Sequence, residues 1–119
     1  MSVASIFPPP SSKREAEIPE TAVDSTAYPP YRLVWCLEVF SKKNGRMVAE
    51  VVLERFDVAT LRRVFRRPPS DPMIEGGWPV TGKHREKIES LTGQRLNLAR
   101  FSYYVAASAL NYYEVNPAK

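Results

Sequence analysis

The sequence predicts an α+β protein in which two helices cover one face of a small antiparallel sheet. Three observations support this prediction. Residues 31–54 form two apolar strand patterns joined at Asn44-Gly45, residues 57–67 carry a helical pattern, and a tyrosine-rich apolar segment lies near the C-terminus. A hairpin with one apolar face needs a covering element. We therefore predict the order β-β-α-α-β, with the C-terminal strand adding to the hairpin.

Residues 1–30 differ in composition from the rest of the chain. They hold six prolines and few large apolar side chains (Ile6, Phe7 and Ile18). Such a segment buries too little apolar surface to offset the entropy that is lost when a chain becomes ordered. We therefore predict a disordered, proline-rich arm over residues 1–30 and one domain over residues 31–116, a division that suits a chain of 119 residues.

The hairpin is predicted from side-chain alternation. Residues 31–40 are rich in β-branched and aromatic side chains, and residues 46–54 alternate between apolar and polar ones. Asn44-Gly45 is a strong turn signal because both residues tolerate positive φ. The predicted apolar face consists of Leu33, Trp35, Leu37, Val39, Met47, Ala49, Val51 and Leu53.

The first helix begins after Asp57, whose carboxylate can accept a hydrogen bond from a free amide of the first turn. Apolar residues follow at helical spacing, and Pro68-Pro69 ends the run. The other face carries the strongest concentration of charge in the chain: Arg62, Arg63, Arg66 and Arg67. These arginines are either a solvated face with cations favourably placed near a helix C-terminus, or a docking patch for phosphates or carboxylates.

The segment over residues 70–80 is too rich in apolar side chains for a passive linker. It carries Trp78, whose ring would lose a large burial contribution if it were left in water. It also carries two carboxylates, Asp71 and Glu75, and a glycine pair. The loop therefore either folds back onto the domain as a structural plug or presents an interaction surface beside the four arginines.

The second helix is predicted over residues 82–92, with Thr81 as its cap and Gly93 closing it in the left-handed conformation. Its apolar content is limited to Ile88 and Leu91. A helix with so narrow an apolar line should lie at the periphery of the core.

The last element, over residues 96–108, fits two structures. Its tyrosines and Val105 favour a strand, whereas its alanines and Leu110 suit a helix. We predict a strand over residues 100–108, because two strands alone make a poor platform for the helices. The tail over residues 111–115 is expected to add an edge segment or to pack on the surface.

The chain carries no catalytic signature. His84 is the only histidine, so metal sites that need paired imidazoles are excluded. Cys36 lies within a strand, where a buried thiol is expected. Asp71 and Glu75 could bind a metal or perform acid–base chemistry, but the glycines beside them lack the spacing and the lysine of a phosphate-binding loop. We predict a protein that is not an enzyme and uses no metal or cofactor.

Charge and targeting signals limit the classes of partner. The formal net charge is +4, and 15 of the 17 basic residues but only 9 of the 13 acidic residues lie beyond residue 30. A basic domain favours an acidic partner, either nucleic acid or an acidic protein face. The N-terminus lacks the basic start of a secretory signal, Pro8 interrupts its first apolar run, and no segment reaches a transmembrane length. With a single cysteine, we expect a cytoplasmic protein with no membrane partner.

The motifs of residues 31–108 resemble a family of small, uncharacterised bacterial proteins. The resemblance rests on the hairpin, the helix capped by Asp57, and the loop that runs from Ser70-Asp71-Pro72-Met73 through Trp78-Pro79-Val80 into a short helix and a tyrosine-rich strand. Some members of that family resemble immunity proteins of toxin–immunity systems. The resemblance implies binding and neutralisation of a cognate toxin and carries over no catalytic residues.

The predicted function is a non-enzymatic protein-binding module, an immunity-type inhibitor of a bacterial toxin. Trp and Arg are frequent hot spots of protein interfaces, and complementary charge speeds association. The alternatives are a nucleic-acid-associated regulator that uses the arginine helix, and an adaptor whose proline-rich arm recruits a partner. The predicted partner-binding residues are Arg62, Arg63, Arg66, Arg67, Asp71, Glu75 and Trp78.

Overall fold

The structure, a computed structural model, describes residues 18–71, 73 and 77–115. In this part of the chain, five antiparallel strands form one sheet: β1 Val23–Asp24, β2 Leu33–Ser41, β3 Met47–Val52, β4 Trp78–Val80 and β5 Phe101–Ala109. The helices are α1 Val58–Val64, α2 Arg85–Thr92 and a C-terminal turn, α3 Tyr112–Val115, with a 3-10 turn at Glu20–Ala22. The predicted α+β class is confirmed.

The central strand β2 has neighbours on both of its edges. β5 pairs along its whole length, from Leu33 opposite Ala109 to Ser41 opposite Phe101. On the other edge, β1 pairs with the start of β2, and β3 pairs with its end. β4 pairs with the outer edge of β5. The predicted C-terminal strand is therefore confirmed, and it lies beside β2 within the sheet.

The core lies on the sheet face that the helices cover. Alternate residues of β2 and β5 point to this face, where the apolar residues of α1 and Ile88 of α2 meet them. The buried cluster includes Leu33, Trp35, Leu37, Leu53, Phe56, Val58, Leu61, Val64, Met73, Val80, Ile88, Tyr103 and Val105. Among the described residues, no helix has the length and apolar character needed to cross a membrane.

The predicted element order omitted two short strands, β1 and β4. β1 has only two residues and β4 only three, so neither is long enough to show alternation in the sequence. β4 also contains Pro79, which argues against a central strand but is tolerated at a sheet edge. Both strands form because a longer strand, β2 or β5, offers an unpaired edge next to them.

Residues 18–30, predicted to belong to the arm, pack on the domain instead. Ala22 and Asp24 are buried, with 0% and 3% of their surfaces exposed. The Asp24 carboxylate accepts hydrogen bonds from the Thr26 amide and hydroxyl, the Trp35 indole and the Val58 amide. These polar contacts supply the stability that the low apolar content of the segment could not predict. Residues 1–17 of the predicted arm lie outside the described residues.

The predicted apolar face of the return strand is only partly buried. Leu53 is 4% exposed, but Met47 is 46% exposed and Ala49 is exposed as well. The register explains this difference: Val39 pairs with Ala49 and Phe40 pairs with Met47, which leaves Val48 as an extra residue in β3. Such a bulge breaks the strict alternation on which the prediction depended.

Candidate functional site

A cleft of about 840 Å³ lies between the end of α1, the edge strand β4 and the turn that precedes α2. Its walls combine two aromatic rings with four side chains that are basic or can become so. We call it the basic cleft and define it by Phe65, Arg66, Arg67, Trp78, Lys83 and His84.

The C-terminal end of α1 places the arginines of the cleft. The Arg67 amide donates to the Arg62 carbonyl at 2.8 Å, and the Arg66 amide donates to the Arg63 carbonyl at 3.4 Å. This pair of bonds is the Schellman motif, which requires a left-handed residue directly after the helix cap. Arg66 occupies that position with φ 52°. The strained position reverses the chain and places Arg66 in the cleft wall.

The four predicted arginines have different roles in the structure. Arg62 Nε donates to the Asp71 carbonyl at 2.8 Å, and Arg67 Nε donates to the Asp71 carboxylate at 2.6 Å. Arg63 contacts the Thr60 hydroxyl at 3.1 Å. Arg66 is exposed and has no ion pair within the described part of the chain. Arg66 and Arg67 line the cleft, whereas Arg62 and Arg63 lie outside it.

Asp71 faces inward and organises the loop. Its Oδ1 accepts the Met73 amide at 2.8 Å, and its side chain is only 13% exposed. The Met73 amide and then the Arg67 guanidinium hold the pKa of the Asp71 carboxyl below its usual value. The structure thus gives Asp71 an internal partner, rather than the outward position that a docking carboxylate needs. Glu75, the other predicted carboxylate, lies outside the described residues.

The aromatic wall consists of side chains that pack against one another with tilted rings. The Phe65 ring centroid lies 4.5 Å from that of His84 and 5.5 Å from that of Trp78. Trp78 is half-buried and pairs with Val105 through the backbone of β4. Its position is therefore intermediate between the two predicted alternatives, a core plug and an interaction surface. Its indole Nε1 is buried and has no hydrogen-bond acceptor among the described residues.

His84 reinforces the turn before α2. Its Nδ1 accepts the Thr81 amide at 3.0 Å, so the neutral ring carries its proton on Nε2. The bond resembles one half of a capping box, in which a side chain three residues on satisfies a backbone amide. The predicted cap at Thr81 is wrong: α2 begins only at Arg85, and His84 occupies the N-cap position without a side-chain cap hydrogen bond. Burial, followed by the charges of Lys83 and Arg66, lowers the pKa of His84.

The chemistry of the cleft is suited to binding an anion. Lys83 and Arg66 are exposed cations that have no ion pair in the described ranges. In the same ranges, no three His, Cys, Asp or Glu side chains are grouped to hold a metal ion. An ammonium and a guanidinium next to an apolar wall offer charge-assisted hydrogen bonds in a partly desolvated place. A carboxylate or a phosphate would fit this arrangement.

Sequence reasoning missed three residues of the cleft. Phe65 belongs to the apolar pattern of the first helix, Lys83 lies in a helical segment of low apolar content, and His84 is a lone histidine, so the sequence singles out none of them as a site residue. Their grouping depends on the left-handed turn at Arg66 and on the pairing of β4 with β5. A signal was present in Thr81 and His84, whose separation by three residues is that of a capping box.

The chain matches a family described as a domain of unknown function (DUF7683) over residues 34–106. This match covers more than half of the chain, from the start of β2 into the second half of β5. The protein therefore belongs to this family. No curated protein and no solved structure matches the chain.

Proposed function

We propose that the protein is a non-catalytic binding module that recognises another protein through the basic cleft. The observation that carries this proposal is the grouping of two exposed cations, Arg66 and Lys83, beside an aromatic wall whose Trp78 donor lacks an acceptor in the described structure. Aromatic and arginine side chains at a partly desolvated cleft are typical of interface hot spots. Such a site supplies affinity without any chemical step.

The more specific form of the proposal is an immunity-type inhibitor that neutralises a bacterial toxin. The motif resemblance noted for residues 31–108 supports it, as does the small fold, since such an inhibitor needs no catalytic cleft. A module of this kind acts by covering the active site of its target or a surface that the target's substrate requires. Complementary charge between the basic cleft and an acidic face of the target would increase the association rate.

A nucleic-acid-associated regulator is the second candidate, and the arginines of α1 favour it. Two of them, Arg62 and Arg67, already bond to Asp71, which reduces the cation track available for phosphates. On the sheet, Glu38 lies directly opposite Glu50. Burial and then the charge of Glu50 raise the pKa of Glu38, as expected where like charges crowd together. The adaptor alternative rests on the proline-rich arm, most of which lies outside the described residues.

Affinity purification from the native host tests the proposal. Nuclease-treated lysate should yield one stoichiometric protein partner, identified by mass spectrometry, that stays bound at moderate salt. Expressed alone, that partner should stop cell growth, and coexpression of this protein should restore it. Recovery of nucleic acid in the absence of nuclease, with no protein partner, would instead support the regulator.

A matched pair of charge reversals links the partner to the cleft. Arg66→Glu should release the partner, whereas Arg55→Glu should retain it. The two residues are both exposed and both left-handed, with φ 52° and 53°, but they lie at opposite ends of α1. Equal loss in the two variants would indicate a general effect of net charge and would remove the basic cleft from the proposal.

A further inference from the structure

We infer that the occupant of the basic cleft is an acidic peptide segment of the partner protein, with a carboxylate between Arg66 and Lys83 and an oxygen atom that accepts the Trp78 indole N–H. This inference rests on the proposed function and names the chemistry that the cleft recognises. Three features of the described residues support it.

The first feature is the buried indole donor. Trp78 Nε1 is shielded from solvent and has no acceptor within the described ranges. A buried donor without an acceptor has lost its hydrogen bonds to water and gains none in return, which is unfavourable. Trp78 is half-buried in the cleft wall, and the inferred hydrogen bond requires its ring to turn so that this donor faces the bound chain. A peptide supplies suitable acceptors in its carbonyls as well as its carboxylates.

The second feature is the internal carboxylate that the cleft already uses. Arg67, a cleft residue, holds Asp71 through a 2.6 Å bond, and Arg62 holds the carbonyl of the same residue. The guanidinium at this end of α1 is thus placed to receive a carboxylate. Asp71 also competes with any second carboxylate for Arg67. Removing its charge should free Arg67 and strengthen binding of an acidic segment.

The third feature is the mutual packing of the rings in the aromatic wall, which favours a peptide over a nucleic acid. Phe65 packs against His84 and Trp78, with centroids 4.5 and 5.5 Å away. Single-stranded nucleic acids bind through bases that stack on exposed ring faces and through a continuous cationic groove. Here the rings pack against one another, and only Arg66 and Lys83 are unpaired cations of the cleft in the described structure.

The two tryptophans allow a direct test by NMR on the ¹⁵N-labelled full chain. The probe is a blocked oligo-glutamate peptide at low salt, and an oligothymidylate of equal charge is the comparison. The Trp78 indole resonance, assigned with Trp78→Phe, should shift on titration with the peptide. The Trp35 indole donates to the buried Asp24 at 3.0 Å, so its resonance should stay in place and serve as the internal control.

The affinities of four variants for the same peptide test which side chains of the cleft bind it. The double variant Arg66→Glu with Lys83→Glu should bind the peptide about tenfold or more weakly, because charge-assisted hydrogen bonds are lost. The control Arg55→Glu should keep the affinity within about twofold of the natural chain. Asp71→Asn keeps an acceptor for the Met73 amide. It should raise the affinity for the peptide by a few-fold, because Arg67 is released from its ion pair. Arg66→Gln replaces the double variant if that variant fails to fold.

The inference is overturned if the Trp78 resonance does not move, if the cleft variants bind the peptide as well as the natural chain does, or if the oligothymidylate binds more tightly. Its failure is distinguishable from failure of the proposed function. A protein partner that still binds the Arg66→Glu variant would support the binding-module proposal and contradict the acidic segment as the occupant of the cleft. If the peptide binds through the cleft but no protein partner is captured, the inferred acidic occupant is supported and the proposed binding module is contradicted.

Discussion

The indole Nε1–H of Trp35 donates to the Asp24 carboxylate at 3.0 Å in the interior of the protein. The same oxygen accepts the Val58 amide at 2.9 Å. One side chain thus joins β1, the first half of β2 and the first turn of α1. Asp24 is the buried charged residue of the described structure, with 3% of its surface exposed, and its hydrogen bonds compensate for the loss of hydration.

Replacing Asp24 tests how much this junction stabilises the fold. Asp24→Ala leaves the Trp35 indole and the Val58 amide without their acceptor, and each buried donor left unsatisfied costs about 1–3 kcal/mol. We expect the free energy of unfolding to fall by about 3 kcal/mol. Urea denaturation measures it, with Ser25→Ala at the exposed neighbour as the control. A loss below about 0.5 kcal/mol would show that water replaces the carboxylate.

Replacing Arg66 with glycine should make the fold more stable and remove partner binding. A non-glycine residue in the left-handed region costs about 1–2 kcal/mol, and glycine relieves that cost but loses more entropy on folding. Arg66→Gly should therefore raise the free energy of unfolding by about 0.5–1 kcal/mol and abolish partner binding. Arg55→Gly, at a matching φ, should stabilise the fold while partner binding is kept. Destabilisation by Arg66→Gly would show that its side chain has a structural role.

Trp78 can be tested by removing its donor while keeping a ring. Trp78→Phe deletes the buried N–H that has no acceptor in the described structure, and the new ring can still pack against Phe65. We expect thermal stability to be unchanged or slightly higher, and partner affinity to fall by about tenfold. Calorimetry and binding assays on the same preparation measure the two effects. A large drop in melting temperature would show that the indole belongs to the core and not to an interface.

His84 should make stability depend on pH in a defined window. Its pKa is lowered from the ordinary value of 6.5 by burial and by the charges of Lys83 and Arg66. Between the lowered value and 6.5, the unfolded state binds more protons than the folded state does, so stability rises with pH. Acidification through this window should destabilise the protein, because protonated Nδ1 can no longer accept the Thr81 amide.

His84→Gln is the matched variant for this pH effect. A glutamine side chain at this position can accept the Thr81 amide, as the side chain of a capping box does, without titrating. The variant should equal the natural chain at pH 7 and lose the slope of stability just below pH 6.5. Carboxyls with lowered pKa values, such as Asp71 and Glu89, act at lower pH. A slope that persists in His84→Gln would assign it to another group.

Local sequence signals predicted the elements whose causes are local. The Asp57 carboxylate accepts the Thr60 amide at 2.8 Å, and Gly93 closes α2 with φ 70°, as predicted. The left-handed turn at Arg66 could not be predicted, because arginine is not among the residues that favour it. The basic cleft was also hidden, since it joins Phe65, Trp78 and His84 from three elements that only the sheet brings together.

Pro79 has a consequence for the outer edge of the sheet. It lies in the middle of β4, which has β5 on one side and no further strand of the described chain on the other. A short edge strand that carries proline offers few backbone donors to an incoming strand. This border is therefore a poor template for aggregation. The basic cleft can therefore lie open beside β4 without exposing a sheet edge that would pair with a strand of another chain.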